Sequence, residues 1–103
     1  MKQLTLPKKL KVGDNWYSVD IAETLRDRMM AGEVHYGKRT ITLARRSYHG
    51  IPLKLSALHE TFWHELVHAI LDSMDRTDLN NDETFVEEFS ARLAKAIASA
   101  RFG

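Results

Sequence analysis

The sequence predicts a small α+β domain, a mixed or antiparallel sheet of two N-terminal hairpins packed on two C-terminal helices. Residues 9–44 read as short alternating segments separated by glycine-bearing turns. Residues 55–74 contain no Gly or Pro and carry apolar side chains around most of a helix. A length of 103 residues allows one core and is too short for two.

The first hairpin is Lys9–Val12, the turn Gly13-Asp14-Asn15, and Trp16–Ile21. In its second arm Trp16, Ser18 and Asp20 alternate with Tyr17, Val19 and Ile21, the more apolar set, as expected of a half-buried strand. Ala22–Met30 is a short helix or an irregular connection. Gly32 opens the second hairpin, Glu33–Tyr36 and Thr40–Ala44 joined by Gly37-Lys38-Arg39, with Ile41 and Leu43 directed at the core. Arg45–Pro52 is a loop. The helix Leu55–Met74 follows, with Ser56 as its expected N-cap and Glu60 in its first turn. Leu58, Phe62, Leu66, Ala69 and Ile70 form its stripe, widened by Trp63, Val67 and Leu71, so it belongs at the centre of the core. Asp75–Asp82 is turn-rich. Asp82 then caps a last helix to Arg101, whose residues 91–100 are Ala-rich and whose apolar stripe runs through Val86, Phe89, Leu93 and Ile97.

Apolar residues make up 44% of the chain and charged residues 28%, with a formal charge of +1. That balance carries no strong nucleic-acid signal, and the basic runs Lys8-Lys9-Leu10-Lys11 and Arg45-Arg46 read as solvated surface. The absence of cysteine excludes disulfides and thiolate metal sites, so any metal must be held by His, Asp or Glu. No apolar run approaches the ~20 residues of a membrane span, and Met1–Pro7 lacks a signal-peptide core. A cytoplasmic protein without membrane partners is the expectation; the oligomeric state leaves no mark in the sequence.

The chemistry concentrates in His64-Glu-Leu-Val-His68. Histidines four apart on a helix project from one face, where both imidazoles can bind one Zn²⁺ at roughly 2.0–2.1 Å. Glu65 then lies within reach of a metal-bound water as general base. The plainer alternative is a surface helix that carries two histidines and a glutamate, but imidazoles on so apolar a helix need partners. Catalytic zinc usually takes three protein ligands. In the last helix Glu83 lies at the edge of the apolar stripe beside Ser90 and Ala94, small residues that allow close helix approach. Glu87 lies on the same side but further toward solvent, and Glu88 opposite the stripe. Glu83 therefore ranks first and Glu87 second, and either can instead be a residue that complements the helix dipole. His59 falls off the ligand face. His35 and His49 remain minor candidates for third ligand or oxyanion donor, as do Tyr36 and Tyr48 for transition-state donor.

These residues carry a family resemblance. His64-Glu-Leu-Val-His-Ala-Ile-Leu71, a short loop, and Glu83-Thr-Phe-Val-Glu-Glu-Phe-Ser-Ala-Arg-Leu93 resemble small zinc metallopeptidases of the gluzincin type, closest to ImmA/IrrE-like and phage-encoded minimal peptidases. Glu83, Val86, Phe89, Ser90 and Leu93 match that family's second helix, E-x-x-(A/V)-x-x-F-(A/S)-x-x-L. The likeness covers about half the chain; many relatives have Gly where Val67 stands. It implies a single minimal zincin-like domain over residues 1–103 and a zinc endopeptidase, with His64, His68 and Glu83 as metal ligands and Glu65 as general base. The substrate would be a protein or peptide, such as a regulatory protein, a phage structural precursor or the chain itself. An extended substrate is expected to pair with an edge strand at Thr40–Leu43, and a terminal segment such as Met1–Leu6 is one way to hold such a site latent. The competing class is a non-catalytic zinc domain that acts as a protein-interaction module.

Overall fold

The computed structural model describes residues 5–103 and has the α+β architecture expected from the sequence. Of the terminal segment Met1–Leu6, residues 1–4 lie outside that range. Four strands, β1 (Lys9–Val12), β2 (Asn15–Ala22), β3 (Gly32–His35) and β4 (Thr40–Ala44), are followed by α1 (Leu55–Ser73), α2 (Thr77–Asn80) and α3 (Glu83–Ser99). No helix among the described residues is long and apolar enough to cross a membrane.

Both hairpins form. Gly13 turns the first at φ +60°, the left-handed conformation that the leading position of a type II′ loop requires. Arg39 takes φ +50° at the end of the second turn, where its N–H donates to the Tyr36 carbonyl at 3.1 Å. Between them, residues 23–31 form an irregular connection rather than a helix. There Asp27 Oδ1 accepts from the Met29 N–H at 3.0 Å, a local bond that competes with helix formation, and Leu25 is buried as the anchor.

The sheet order is β1-β2-β4-β3, and the pairing of β2 with β4 is parallel, from Ser18↔Thr40 to Ala22↔Ala44. The sheet is therefore mixed. This corrects the expectation that Thr40–Leu43 is an edge: β4 is interior, and the edges are β1 and β3. Hairpin periodicity fixes which strands are sequential partners, but not which side of a hairpin docks on the next one.

Helix α1 lies on one face of the sheet and has cores on two sides. Leu58, Phe62, Leu66 and Ala69 pack with Val12, Tyr17, Ile41 and Leu43 of the sheet. On its other side Val67 and Leu71 meet Val86 of α3, with Leu79, Phe85 and Leu93 around them. On β2 the alternation holds at buried Tyr17 and half-buried Val19 but fails at Ile21, which is exposed near the strand's end. On the opposite face of the sheet Lys9 and Lys11 lie over the Trp16 ring at 5.1 and 5.7 Å.

Three helical details differ from expectation. Helix α1 starts one residue before Ser56, at Leu55, with Lys54 as an N-cap that makes no side-chain capping bond, and Glu60 falls beyond the first turn. Its start is set by tertiary ties: Leu53 N–H donates to Arg45 O at 2.8 Å, and Arg46 bridges Pro52. Ile70 and Phe89, both expected in the core, are partly exposed. Helix α3 instead turns Val86 and Ser90 inward, and Phe89 lies against Phe85 with ring centroids 5.6 Å apart. Asp82 caps α3 as expected, accepting from Phe85 N–H at 3.0 Å.

Gly32 owes its place to packing rather than to a turn. A Cβ there would lie 2.5 Å from Thr61 Cγ2 and 3.1 Å from Glu65 Cγ, so only glycine lets β3 close on α1. Because the Thr61 methyl sits on a stiff β-branched side chain, Gly32→Ala is expected to lose about 1–3 kcal/mol of stability, measured by urea denaturation.

Candidate metal centre

The helical spacing of His64 and His68 brings their rings edge to face, with centroids 5.1 Å apart. Helix α3 begins directly opposite, because α2 and its flanking turns reverse the chain between Ser73 and Glu83. The contact of Val86 with Val67 and Leu71 holds the first turn of α3 against the ligand face. Glu83 then presents Oε1 at 3.3 Å from His68 Nε2 and Oε2 at 3.6 Å from His64 Nε2.

One donor atom from each of His64, His68 and Glu83 lies within 4.8 Å of the others, a group that can hold a metal ion. The donor set fits zinc. Two imidazoles and a carboxylate are ligand types that zinc takes, and the two Glu83 carboxylate oxygens lie 3.3 and 3.6 Å from the Nε2 atoms of His68 and His64. Glu87 and Glu88 are both exposed on the groove that reaches His64, and both lie outside the group. Among the two expected candidates, Glu83 is the one brought to the histidines.

Electrostatics separate the roles further. Burial, reinforced by the His68 ring, lowers the pKa of His64 against the opposing pull of Glu83 and Glu87. A neutral His64 keeps a nitrogen lone pair for a metal. Glu65 is the buried acid of the site. Burial pushes its carboxyl up to about 7, with Glu83 and Glu33 adding to the effect and His68 opposing it. A carboxyl with that value is matched to proton transfer near neutral pH.

Two openings meet at this centre. A cleft of about 310 Å³ runs between residues 29–32 and α1, lined by Met30, Gly32, Thr61, His64 and Glu65. A larger groove of about 1160 Å³ lies between α1 and α3, lined by Trp63, His64, Ala91, Ala94 and Ile97 among others. His59 lines this groove and lies outside the metal group.

The remaining candidates are elsewhere. His35 Nδ1 accepts from Lys38 N–H at 3.1 Å and caps the second hairpin, and His49 lies edge to face with Tyr48 at 5.2 Å. Neither joins the metal group. Tyr36 does reach the neighbourhood through a residue that sequence reasoning missed. Asn80 Nδ2 donates to Tyr36 Oη at 3.2 Å, and Asn80 Oδ1 lies 2.5 Å from His68 Nδ1. No spacing rule marks Asn80; only its neighbourhood in a turn-rich segment hinted at a short-range polar role.

The raised Glu65 value has a consequence for metal-free protein. Protonated Glu65 is tolerated in the fold and ionised Glu65 is penalised, so its stability contribution is intact below pH 4.5 and lost as pH rises through about 7. With metal removed by chelator, Glu65→Gln is expected to be more stable than the parent by about 3 kcal/mol above pH 7. The difference should vanish below pH 4.5, the ordinary carboxyl value, in denaturation curves across that range. Among known proteins, no family model, no curated protein and no solved structure matches this chain.

Proposed function

We propose that this chain is a zinc-dependent endopeptidase of gluzincin type. The observation that carries the reading is the convergence of His64, His68 and Glu83 on one point, beside a buried glutamate whose pKa is raised to about 7. Three protein ligands leave room for a fourth, as in catalytic zinc sites. That favours an enzyme over a closed structural zinc domain.

Zinc held by the two Nε2 atoms and the Glu83 carboxylate would supply Lewis acidity, polarising a scissile carbonyl and lowering the pKa of water toward about 7. Glu65 accepts the proton of the attacking water at its carboxylate as the water oxygen bonds to the carbonyl carbon. It then returns that proton to the amide nitrogen as the C–N bond breaks, so the carboxylate is regenerated. The low-dielectric surroundings that raise the Glu65 pKa make it basic enough to take the proton near neutral pH.

The substrate is positioned by β3 rather than by β4. Edge strand β3 lies beside α1, and Gly32 brings its backbone next to Glu65. An extended peptide added to this edge would exchange main-chain hydrogen bonds with Gly32–His35 and lie along the cleft that reaches His64 and Glu65. This supports cleavage of extended segments in a protein, with a regulatory protein as one candidate class.

The test is digestion of a diverse peptide mixture by zinc-loaded protein, with products read by mass spectrometry. Glu65→Gln is expected to abolish cleavage and still bind zinc in equilibrium dialysis. Glu83→Ala is expected to lose both zinc retention and cleavage. Chelator-sensitive cleavage that survives in Glu65→Gln would sink the assignment of Glu65 as base.

A further inference from the structure

The second nitrogen of His68 has a built environment of its own. Asn80 ends α2, and its amide faces two groups from different parts of the chain. Nδ2 donates to Tyr36 Oη in the turn after β3, which leaves Oδ1 as the atom 2.5 Å from His68 Nδ1. An amide oxygen only accepts, so the imidazole hydrogen must be on Nδ1. A neutral ring with its hydrogen on Nδ1 has its lone pair on Nε2. Nε2 is the atom that lies 3.3 Å from the Glu83 carboxylate in the metal group.

The reverse arrangement has the opposite effect. An amide turned by 180° would point its NH₂ at Nδ1, force the hydrogen onto Nε2 and place a donor where the metal should bind. With Nδ2 donating to Tyr36 Oη, the amide presents Oδ1 to the His68 ring.

We propose that Asn80 is a positioning residue for metal capture: it fixes His68 in the Nδ1–H form, lone pair toward His64 and Glu83, and Tyr36 steadies its amide. The proposal rests on reading His64, His68 and Glu83 as a metal site. It adds a contributor from the second hairpin, through Tyr36, and one from the segment between the two site helices. Partners of this kind orient ligating histidines and raise their basicity.

The experiment combines two readouts. In metal-free Glu83→Ala protein, where no carboxylate faces Nε2, and at a pH where the rings are neutral, ¹⁵N NMR of histidine-labelled material reports the His68 tautomer. In parallel, competition with a fluorescent chelator gives zinc affinity in protein that keeps Glu83. With Asn80 in place in the Glu83→Ala background, His68 should show the Nδ1–H form. Asn80→Ala should revert to the Nε2–H form that predominates in free histidine and bind zinc roughly 10–100-fold more weakly. Asn80→Asp should restore both, since a carboxylate oxygen accepts the same hydrogen, and Tyr36→Phe should give a smaller loss. The proposal is overturned if Asn80→Ala leaves the tautomer unchanged, or if its zinc affinity stays within about twofold of a wild type that binds zinc. A tautomer that depends on Asn80 in a protein with no zinc affinity would uphold the positioning of His68 and remove the zinc reading instead.

Discussion

Helix α1 is covered on two sides at once, and the site depends on that. The sheet takes Leu58, Phe62, Leu66 and Ala69, while α3 takes Val67 and Leu71. His64 and His68 remain half-buried beside these cores, and Glu65 is buried next to them. A helix so committed cannot rotate without opening one of its two cores, and close-packed interiors resist that. The imidazoles are therefore aimed by hydrophobic packing before any ligand arrives. The same packing removes water from Glu65, so the fold that orients the acid also tunes it.

The approach of α3 extends this logic. Ser90 is buried and Ala94 half-buried, so no bulky side chain on that face keeps the two helices apart. Glu83 gains its position from this contact, since it is the first residue of the helix and its own side chain is largely in solvent. On the other flank Gly32 allows the sheet edge to close. Small side chains thus bring two larger elements onto the centre, and the polar residues fill the space that those approaches define.

What the sequence made legible was short-range. Turn glycines and alternation located all four strands to within a residue or two, and the Asp82 cap marked the start of α3. The His64–His68 pair and Glu83 followed from helical period together with the small face at Ser90 and Ala94. Longer-range features were not visible. The parallel docking of β2 on β4, which makes β4 interior, depends on the shape of the connection at residues 23–31 rather than on any period. The start of α1 is set by the Arg46–Pro52 bridge instead of a capping serine, and Phe89 is displaced from the core by the closer packing of Ser90. Asn80 was missed because its role exists only where a short helix, a hairpin turn and a helix face meet.

The parallel β2–β4 pairing also bears on how the chain assembles. Each hairpin closes over a short turn, so each can form early and nearly alone. Joining them requires the 23–31 connection to fold back, which places Ser18 beside Thr40. That step is secured by Arg46, whose guanidinium meets Glu23 at 2.8 Å, and by Ala44 N–H, which donates to Ala31 O at 2.8 Å. Both anchors lie at the ends of the connection, and its middle, apart from buried Leu25, is exposed. The entropy of closing such a loop grows only by about 0.6 kcal/mol for each doubling of its length. The fold can thus absorb insertions in this connection at little thermodynamic cost, and the rim next to Gly32 is where the chain can lengthen while His64, His68 and Glu83 keep their places.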